Sequence, residues 1–394
     1  MVNFLLIALA WLVAIPVLFL VVELVLAKSG PLRNPIEGNV DCSKIVVLVP
    51  AHNEERVIET TLLSLRAELP DSNQIIVIAD NCADKTALIS RGCGVTVIER
   101  SSELEKGKGF ALEYGIEYLS DQPSQPGHVI FIDADCLVKP GSLARLVAQC
   151  VATGRPVQAL YLMKTTGISG IRQKIAEFAW VVKNQVRPLG LMKLGLPCQL
   201  MGTGMAFPFE LLKQIKLGSS HIVEDMKLGV DCAAAGYPPV FCPEALVESY
   251  FPEDDSSVKT QRTRWEHGHL GVIFSETFGL VKSAIVRRDI NSLAMAFDLM
   301  IPPLAFLVLI LLTFIVSLSV LVGLFGVGSV ALQILLSITC LLGVALLLSW
   351  YRFARDIISL RELLWIPVYV LSKIPLYIGY WVKRQTEWIR TNRD

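Results

Sequence analysis

The chain has 394 residues, 53% of them hydrophobic, and a formal net charge of zero at pH 7. That length allows one substantial folded domain plus a membrane portion, and so high an apolar share is unusual for a purely soluble protein. Balanced charge argues against a nucleic-acid partner, and nine cysteines without Cys-x-x-Cys or His/Cys spacing argue for free thiols in a reducing compartment rather than a zinc site.

Residues 4–26 are apolar apart from Glu23. At about 1.5 Å per residue they suffice to cross a hydrocarbon core of ~30 Å. A cleaved signal peptide is the rival reading, weakened by the missing basic leader and by the length of the run. Lys28 and Arg33 follow the span. The positive-inside tendency then predicts an outside N-terminus and a cytoplasmic continuation, as in a bacterial inner membrane. The expected division is therefore a transmembrane helix over 1–27, a cytoplasmic domain with interfacial helices over 28–290, and a membrane region over 291–394.

Within the middle block, residues 44–49, 74–79, 95–99 and 128–132 are near-continuous apolar runs separated by helical patterns such as 54–69 and 142–151. Uniformly apolar strands suit a mainly parallel sheet covered on both faces, hence an α/β fold. In such a sheet the loops after the strands meet at one edge, where ligands bind. Pro50, His52 and Glu54 follow the first strand, Asp80 ends the second, and Asp133-Ala134-Asp135 follows the fourth. Residues 167–197 form a basic amphipathic pattern with Trp180, fitting either a membrane surface or an ordinary domain surface.

Asp133 and Asp135 can approach one hard cation if the chain turns after Asp133, and Mg²⁺ or Mn²⁺ takes such carboxylates together with diphosphate oxygens. Solvated turn aspartates are the plain alternative. Asp80 can cap the next helix or bind a nucleotide's base or ribose, with Asp84 available as the cap instead. Glu54 carries the same ambiguity. Lys108, in a basic Gly-rich loop, can touch phosphate or simply be solvated. Glu224 and Asp225 sit at a helix start, where a carboxylate needs no further reason. A base near an acceptor hydroxyl is nevertheless required for sugar transfer, and Asp225 is the candidate. Arg264 offers a bidentate fork to diphosphate, Trp265 a flat face to a sugar, and Gly202-Thr203-Gly204 a turn that an acceptor can approach closely.

Residues 299–351 contain no charge and predict a helical hairpin over 301–350, with Gly323, Gly326 and Gly328 near the connection. The stretch 363–381 carries Lys373, Pro367 and Pro375 and precedes a basic tail. It is expected to be interfacial or re-entrant, with a full span as the alternative.

At these motifs the chain resembles the membrane-integrated branch of family 2 glycosyltransferases, which includes cellulose, hyaluronan and chitin-oligosaccharide synthases. The resemblance covers roughly 44–270. It implies a GT-A fold, a hexosyltransferase with a nucleotide-sugar donor (a UDP-sugar above all), a divalent cation, and inversion at the anomeric carbon. Nucleotide-contacting positions fall on Pro50, His52, Glu54 and Asp80. The Asp-x-Asp pair falls on Asp133 and Asp135, with Asp135 the more direct metal ligand. The base of the Thr-Glu-Asp motif falls on Asp225, beside Glu224, although Val223 replaces the threonine. Gln261, Arg264 and Trp265 match Gln-x-x-Arg-Trp in full. The acceptor is expected to be a lipid-linked or growing saccharide in exopolysaccharide or glycolipid assembly. A processive polymer synthase, its channel completed by a homo-oligomer, is the second reading. A transporter or a non-catalytic nucleotide-sugar sensor is disfavoured by the uncharged hairpin and by Asp225 and Trp265.

Overall fold

The computed structural model describes residues 1–28, 44–69, 71–165, 170–219, 222–252 and 255–382; Arg33 and the basic tail beyond Val382 lie outside them. Eight strands form one sheet: β1 Ile45–Ala51, β2 Ile75–Asp80, β3 Thr96–Arg100, β4 His128–Phe131, β5 Leu137–Val138, β6 Val157–Lys164, β7 Met205–Pro208 and β8 Val240–Tyr250. Their order is β3-β2-β1-β4-β7-β6-β8-β5. Strands β1 to β4 run parallel, β7 lies antiparallel between β4 and β6, and β8 is parallel to β6.

Both sheet faces are covered, as the apolar runs require. Val47, Val49, Ile75, Val77 and Ile130 face one core, against Ile58, Leu62 and Leu65 of helix Ile58–Arg66 and Leu143, Leu146 and Val147 of helix Ser142–Thr153. The alternating Leu48, Ile76, Ile78, Val129 and Phe131 face a second core, against Ala111, Leu112 and Ile116 of helix Lys108–Ser120. Each such fully buried side chain contributes roughly 1.5–3 kcal/mol of transfer free energy. Gly115 brings that helix down onto the sheet, because a Cβ there would lie 2.8 Å from Ile78 Cδ1. The chain winds from β1 outward through β2 and β3, then returns to β4 on the other side of β1. The crevice of the open sheet therefore falls at the carboxyl ends of β1 and β4.

Among the described residues, five helices are long and apolar enough to cross a membrane: Val2–Leu26, Val258–Arg287, Leu304–Phe325, Ser329–Phe353 and Glu362–Val382. The first packs Ala10, Ala14, Val17 and Leu20 into a cluster with Leu307, Leu311, Ala331, Leu335 and Leu342. In the hairpin connection, Gly326 and Gly328 take left-handed backbone (φ 66° and 90°), whereas Gly323 stays inside the helix.

Residues Val258–Arg287, within the block expected to be cytoplasmic, belong to a single helix Asp255–Arg287 that carries the Gln-x-x-Arg-Trp motif and is long and apolar enough to cross a membrane. The stretch 363–381 lies within Glu362–Val382, which is long and apolar enough to cross a membrane. It breaks at Lys373 into Ile366–Ser372 and Ile374–Val382, and Lys373 Nζ binds Glu266 Oε1 at 2.6 Å on the motif helix. Within the amphipathic stretch 167–197, helix Ile171–Val181 passes through a π-turn at Val182–Val186 into helix Arg187–Lys193, and Phe178, Val181, Val186 and Leu189 are buried against the N-terminal helix and the hairpin.

Candidate active site

The loops after β1, β2 and β4 enclose a cavity of about 580 Å³ with the loop before helix Lys108–Ser120, the start of helix Glu224–Ala234 and the motif helix. Pro50, His52, Glu54, Asp80, Lys108, Asp133, Asp135, Gly202, Glu224, Asp225, Gln261, Arg264 and Trp265 line it. Thr203 and Gly204 stand behind its wall instead. The Asp133 N–H donates to Thr203 Oγ1 at 3.0 Å, and the Gly204 N–H donates to the Phe131 carbonyl at 2.9 Å. These two residues tie the turn to β4 and leave Gly202 to face the cavity.

On the side of β1 to β3, Asp80 is 5% exposed and takes no part in capping. Its carboxylate accepts from Arg100 Nη1 at 2.8 Å and from Asn81 Nδ2 at 3.1 Å, while its carbonyl bonds His52 Nδ1 at 2.7 Å. Asp84 caps the following helix by accepting from the Thr86 N–H at 2.9 Å, the ordinary role of an aspartate at a helix start. Glu54 also stands outside its helix. Its N–H donates to Thr86 Oγ1 at 2.7 Å, and its carbonyl accepts from the Ile58 N–H at 3.0 Å. Asn53 and Asn81 turn these loops with left-handed backbone (φ 56° and 52°), which asparagine tolerates. Their side-chain oxygens accept from the N–H groups of Ala83 and Ser102.

The carboxylates gather at Gly202, whose φ is +95°. A Cβ there would lie 3.4 Å from Asp225 Oδ2, 3.9 Å from Asp133 Oδ2 and 3.9 Å from Lys108 Nζ. Lys108 donates to the Gly202 carbonyl at 2.6 Å and pairs with Asp133. Burial alone would lower the pKa of Lys108, but Asp133, Glu224 and Asp225 outweigh it and hold the ammonium above its usual range. Burial raises Asp225 against the opposing pull of Lys183 and Lys108. Glu224 rises to about 7, from burial first, with Lys108 opposing and the Asp225 charge adding. Val223, which replaces the family's threonine, packs against Gly268 of the motif helix, where a Cβ would approach Val223 Cγ1 to 2.7 Å. The substitution leaves the Glu224-Asp225 pair docked on that helix.

Asp133, Asp135 and Cys136 bring their ligand atoms within 4.8 Å of one another. The turn is fixed by the Cys136 N–H to the Asp133 carbonyl and by Thr61 Oγ1 to the Ala134 carbonyl at 2.8 Å. Two carboxylates fit a hard divalent cation that keeps further oxygen ligands. Mg²⁺ or Mn²⁺ prefers oxygen, so the Cys136 thiol is the least suited of the three.

Trp265 leans on Trp180 with ring centroids 5.1 Å apart, and Trp180 meets Tyr161 edge-on at 5.4 Å. Trp180 and Lys183 therefore join the site without having been singled out for it, and so does Arg100. Arg100 was findable, since it ends β3 at the same sheet edge as Asp80. Lys183 was visible only as one of the basic residues of the amphipathic stretch.

A family model described as "Glycosyltransferase like family 2" matches residues 43–268. A probable glycosyltransferase of Bacillus subtilis, YdaM, is 27% identical over 271 residues, covering 64% of this chain and 61% of the relative. An uncharacterized protein of Methanocaldococcus jannaschii, MJ1222, is 33% identical over 122 residues, or 31% of this chain and 48% of that protein. This chain thus spans less than two thirds of the length of either relative. Among solved structures, the mannosyltransferase PcManGT from Pyrobaculum calidifontis, in complex with GDP-Man and Mn²⁺, aligns over 96% of this chain and all of its own with TM-score 0.54 and 17% identity, a likeness of fold. With the family match spanning more than half its length and a GT-A sheet carrying the matched motifs, the chain belongs to the family 2 glycosyltransferases.

Proposed function

We propose that the protein is a membrane-bound hexosyltransferase that moves one sugar, with inversion, from a nucleotide-diphosphate sugar to a hydroxyl of a lipid-linked acceptor in glycolipid or exopolysaccharide assembly. The observation that carries this reading is the convergence of Asp225, Asp133 and Lys108 within 4 Å of one point at Gly202, inside a cavity at the strand ends. Asp225 takes the proton of the acceptor hydroxyl. The acceptor oxygen then bonds the anomeric carbon as the carbon–oxygen bond to diphosphate breaks, and the bonding pair leaves with the diphosphate. One displacement of this kind inverts the centre and needs no covalent enzyme intermediate. Lys108 and Arg264 receive the charge developing on the diphosphate. Asp80 and the loop 50–54 hold the nucleotide, as the family resemblance implies. A divalent cation held by Asp135 and Asp133 would supply further compensation for the diphosphate charge.

The membrane setting is supported by the five apolar helices, and a cytoplasmic site with an outside N-terminus by Lys28 after the first of them. The test is release of nucleoside diphosphate by the purified full chain from a panel of UDP- and GDP-sugars, with Mn²⁺, Mg²⁺ or chelator. Cation-dependent release from one donor is the expected result. No release from any donor would sink the proposal.

A further inference from the structure

A second cavity of about 800 Å³ lies among the apolar helices, and it shares Trp180, Lys183 and Trp265 with the active-site cavity. Its walls are largely hydrocarbon, including Leu20, Leu304, Gly343, Leu346 and Trp350. The size is within the roughly 300–1,000 Å³ of ligand pockets. Its position is the informative part, because the shared residues form a neck between a polar chamber built for the donor and an apolar chamber inside the membrane-type bundle. Lys183 stands in this neck with its side chain exposed to the voids, although burial within the protein depresses its pKa. Its ammonium lies 5.7 Å from the Trp180 ring centre, and the Asp225 charge acts on it. A sugar polymer needs a wet channel with hydrogen-bonding walls, and this chamber supplies few. A hydrocarbon chain needs only apolar area.

We propose that this chamber is the acceptor's lipid site. It takes the hydrocarbon part of a single amphiphile, whose hydroxyl-bearing head passes beside the contacting Trp180–Trp265 pair and past Lys183 to reach Asp225. The inference rests on the glycosyl-transfer reading and adds the acceptor class: a hydroxyl head directly attached to an aliphatic tail. Gly343 offers a clean handle. It lines the chamber, and a Cβ there meets nothing within 4 Å, so Gly343→Phe fills the void without displacing backbone.

The test uses the full chain in lipid nanodiscs and a long-chain alcohol bearing a terminal diazirine as photoprobe, with labelled peptides mapped by mass spectrometry. Saturable labelling of chamber residues is expected. Unlabelled alkyl glucosides should compete with it, each added methylene lowering the half-inhibitory concentration roughly two- to fourfold until the chamber is full, while glucose should not compete. Gly343→Phe should reduce chamber labelling at least fivefold and end the chain-length trend at shorter tails. Its acceptor-free donor hydrolysis should stay within twofold, with Ala179→Phe as a second filler if the first variant fails to fold. Labelling spread evenly over the outer helix faces, or left unchanged by both fillers, overturns the proposal. So does chamber labelling with acceptor turnover indifferent to tail length, which would identify a structural lipid. Chamber labelling in a chain that turns over no nucleotide sugar overturns the transfer reading, and the acceptor role with it.

Discussion

Asp225→Asn isolates the base from the rest of the site. The amide keeps the shape of the carboxylate beside Gly202, 3.4 Å from a Cβ there, and removes only its charge and basicity. General-base catalysis contributes typically about 10²–10⁴-fold, so kcat should fall by that factor, or roughly 3–5 kcal/mol in activation free energy. The charge balance sets the expectation for binding. Lys108, Lys183 and Arg264 all feel the Asp225 carboxylate. Losing it leaves the cavity more positive, so the affinity for nucleoside diphosphate should hold or rise. Initial rates at saturating donor and acceptor, with nucleotide binding by calorimetry, separate the two effects. The pH profile adds a sign. Burial raises the Asp225 pKa, so the base is lost on acidification at a pH above the ordinary aspartate range of ~4, and kcat/KM should fall through that limb. Asp225→Asn should abolish the limb, whereas Glu224→Gln should leave it in place, because Glu224 itself rises to about 7 and is already largely uncharged there. A variant Asp225→Asn that keeps more than a tenth of kcat, or an acid limb that survives it and vanishes in Glu224→Gln, would refute the assignment and move the base to Glu224.

Two further predictions concern how the site is held. Gly204→Ala combines left-handed backbone at φ +66° with a Cβ 2.8 Å from Ala159 Cβ and 2.9 Å from Val247 Cγ2; backbone strain and overpacking together should cost about 2–5 kcal/mol, read as a lowered thermal midpoint in detergent, and an unchanged midpoint would show that the turn relaxes freely. Arg187→Met leaves Glu23 and Asp298 facing each other without their shared cation, and breaking such a buried pair costs about 3–5 kcal/mol; the triple change with Glu23→Gln and Asp298→Asn should recover most of the midpoint, whereas equal loss in single and triple variants would mean the cluster's charge is not what stabilises it.

The catalytic half was legible because one rule governed most of it. Apolar runs covered on both faces make parallel strands, and their carboxyl ends brought the 50–54 loop, Asp80 and Asp133/Asp135 to one crevice before any motif was compared. What one chain segment does to another was not legible. Asp80 had two readings in sequence, and its pairing with Arg100 together with the Asp84 cap decides against the capping one. Thr203 and Gly204 looked like acceptor contacts because a Gly-rich turn advertises close approach. The approach they serve is that of β6 and β8. The apolar face read over 171–182 forms as a helix, but the sequence did not show that it packs on the N-terminal helix and the hairpin. Charge content likewise hid the length of the motif helix, whose polar first turns serve the site while Val272 and Leu280 of its later turns pack with Met226, Val230, Met295 and Leu299.

That helix and the π-turn segment tie the apolar helices to the candidate site. Arg187 bonds Glu23 Oε2 of the N-terminal helix through Nε at 2.8 Å and pairs with Asp298 just before the hairpin. Gly190 lets the same segment lie directly against the Glu23 backbone. One turn before Arg187, the segment presents Lys183 and Trp180 to the neck between the two cavities. Trp265 reaches that neck from the motif helix, whose Glu266 holds Lys373 and Tyr377 of the last apolar stretch. The Trp180–Lys183 segment is thus anchored through Arg187 to the N-terminal helix and Asp298, and the Trp265 helix through Glu266 to the last apolar stretch, whereas Asp80 and Asp133 sit at the ends of sheet strands. A shift of the N-terminal helix would move Lys183 and Trp180 against a fixed Asp80 and Asp133. The alignment of acceptor with donor therefore depends on how the bundle is packed, and a solubilised form that loosened the bundle should lose acceptor transfer before it loses nucleotide binding.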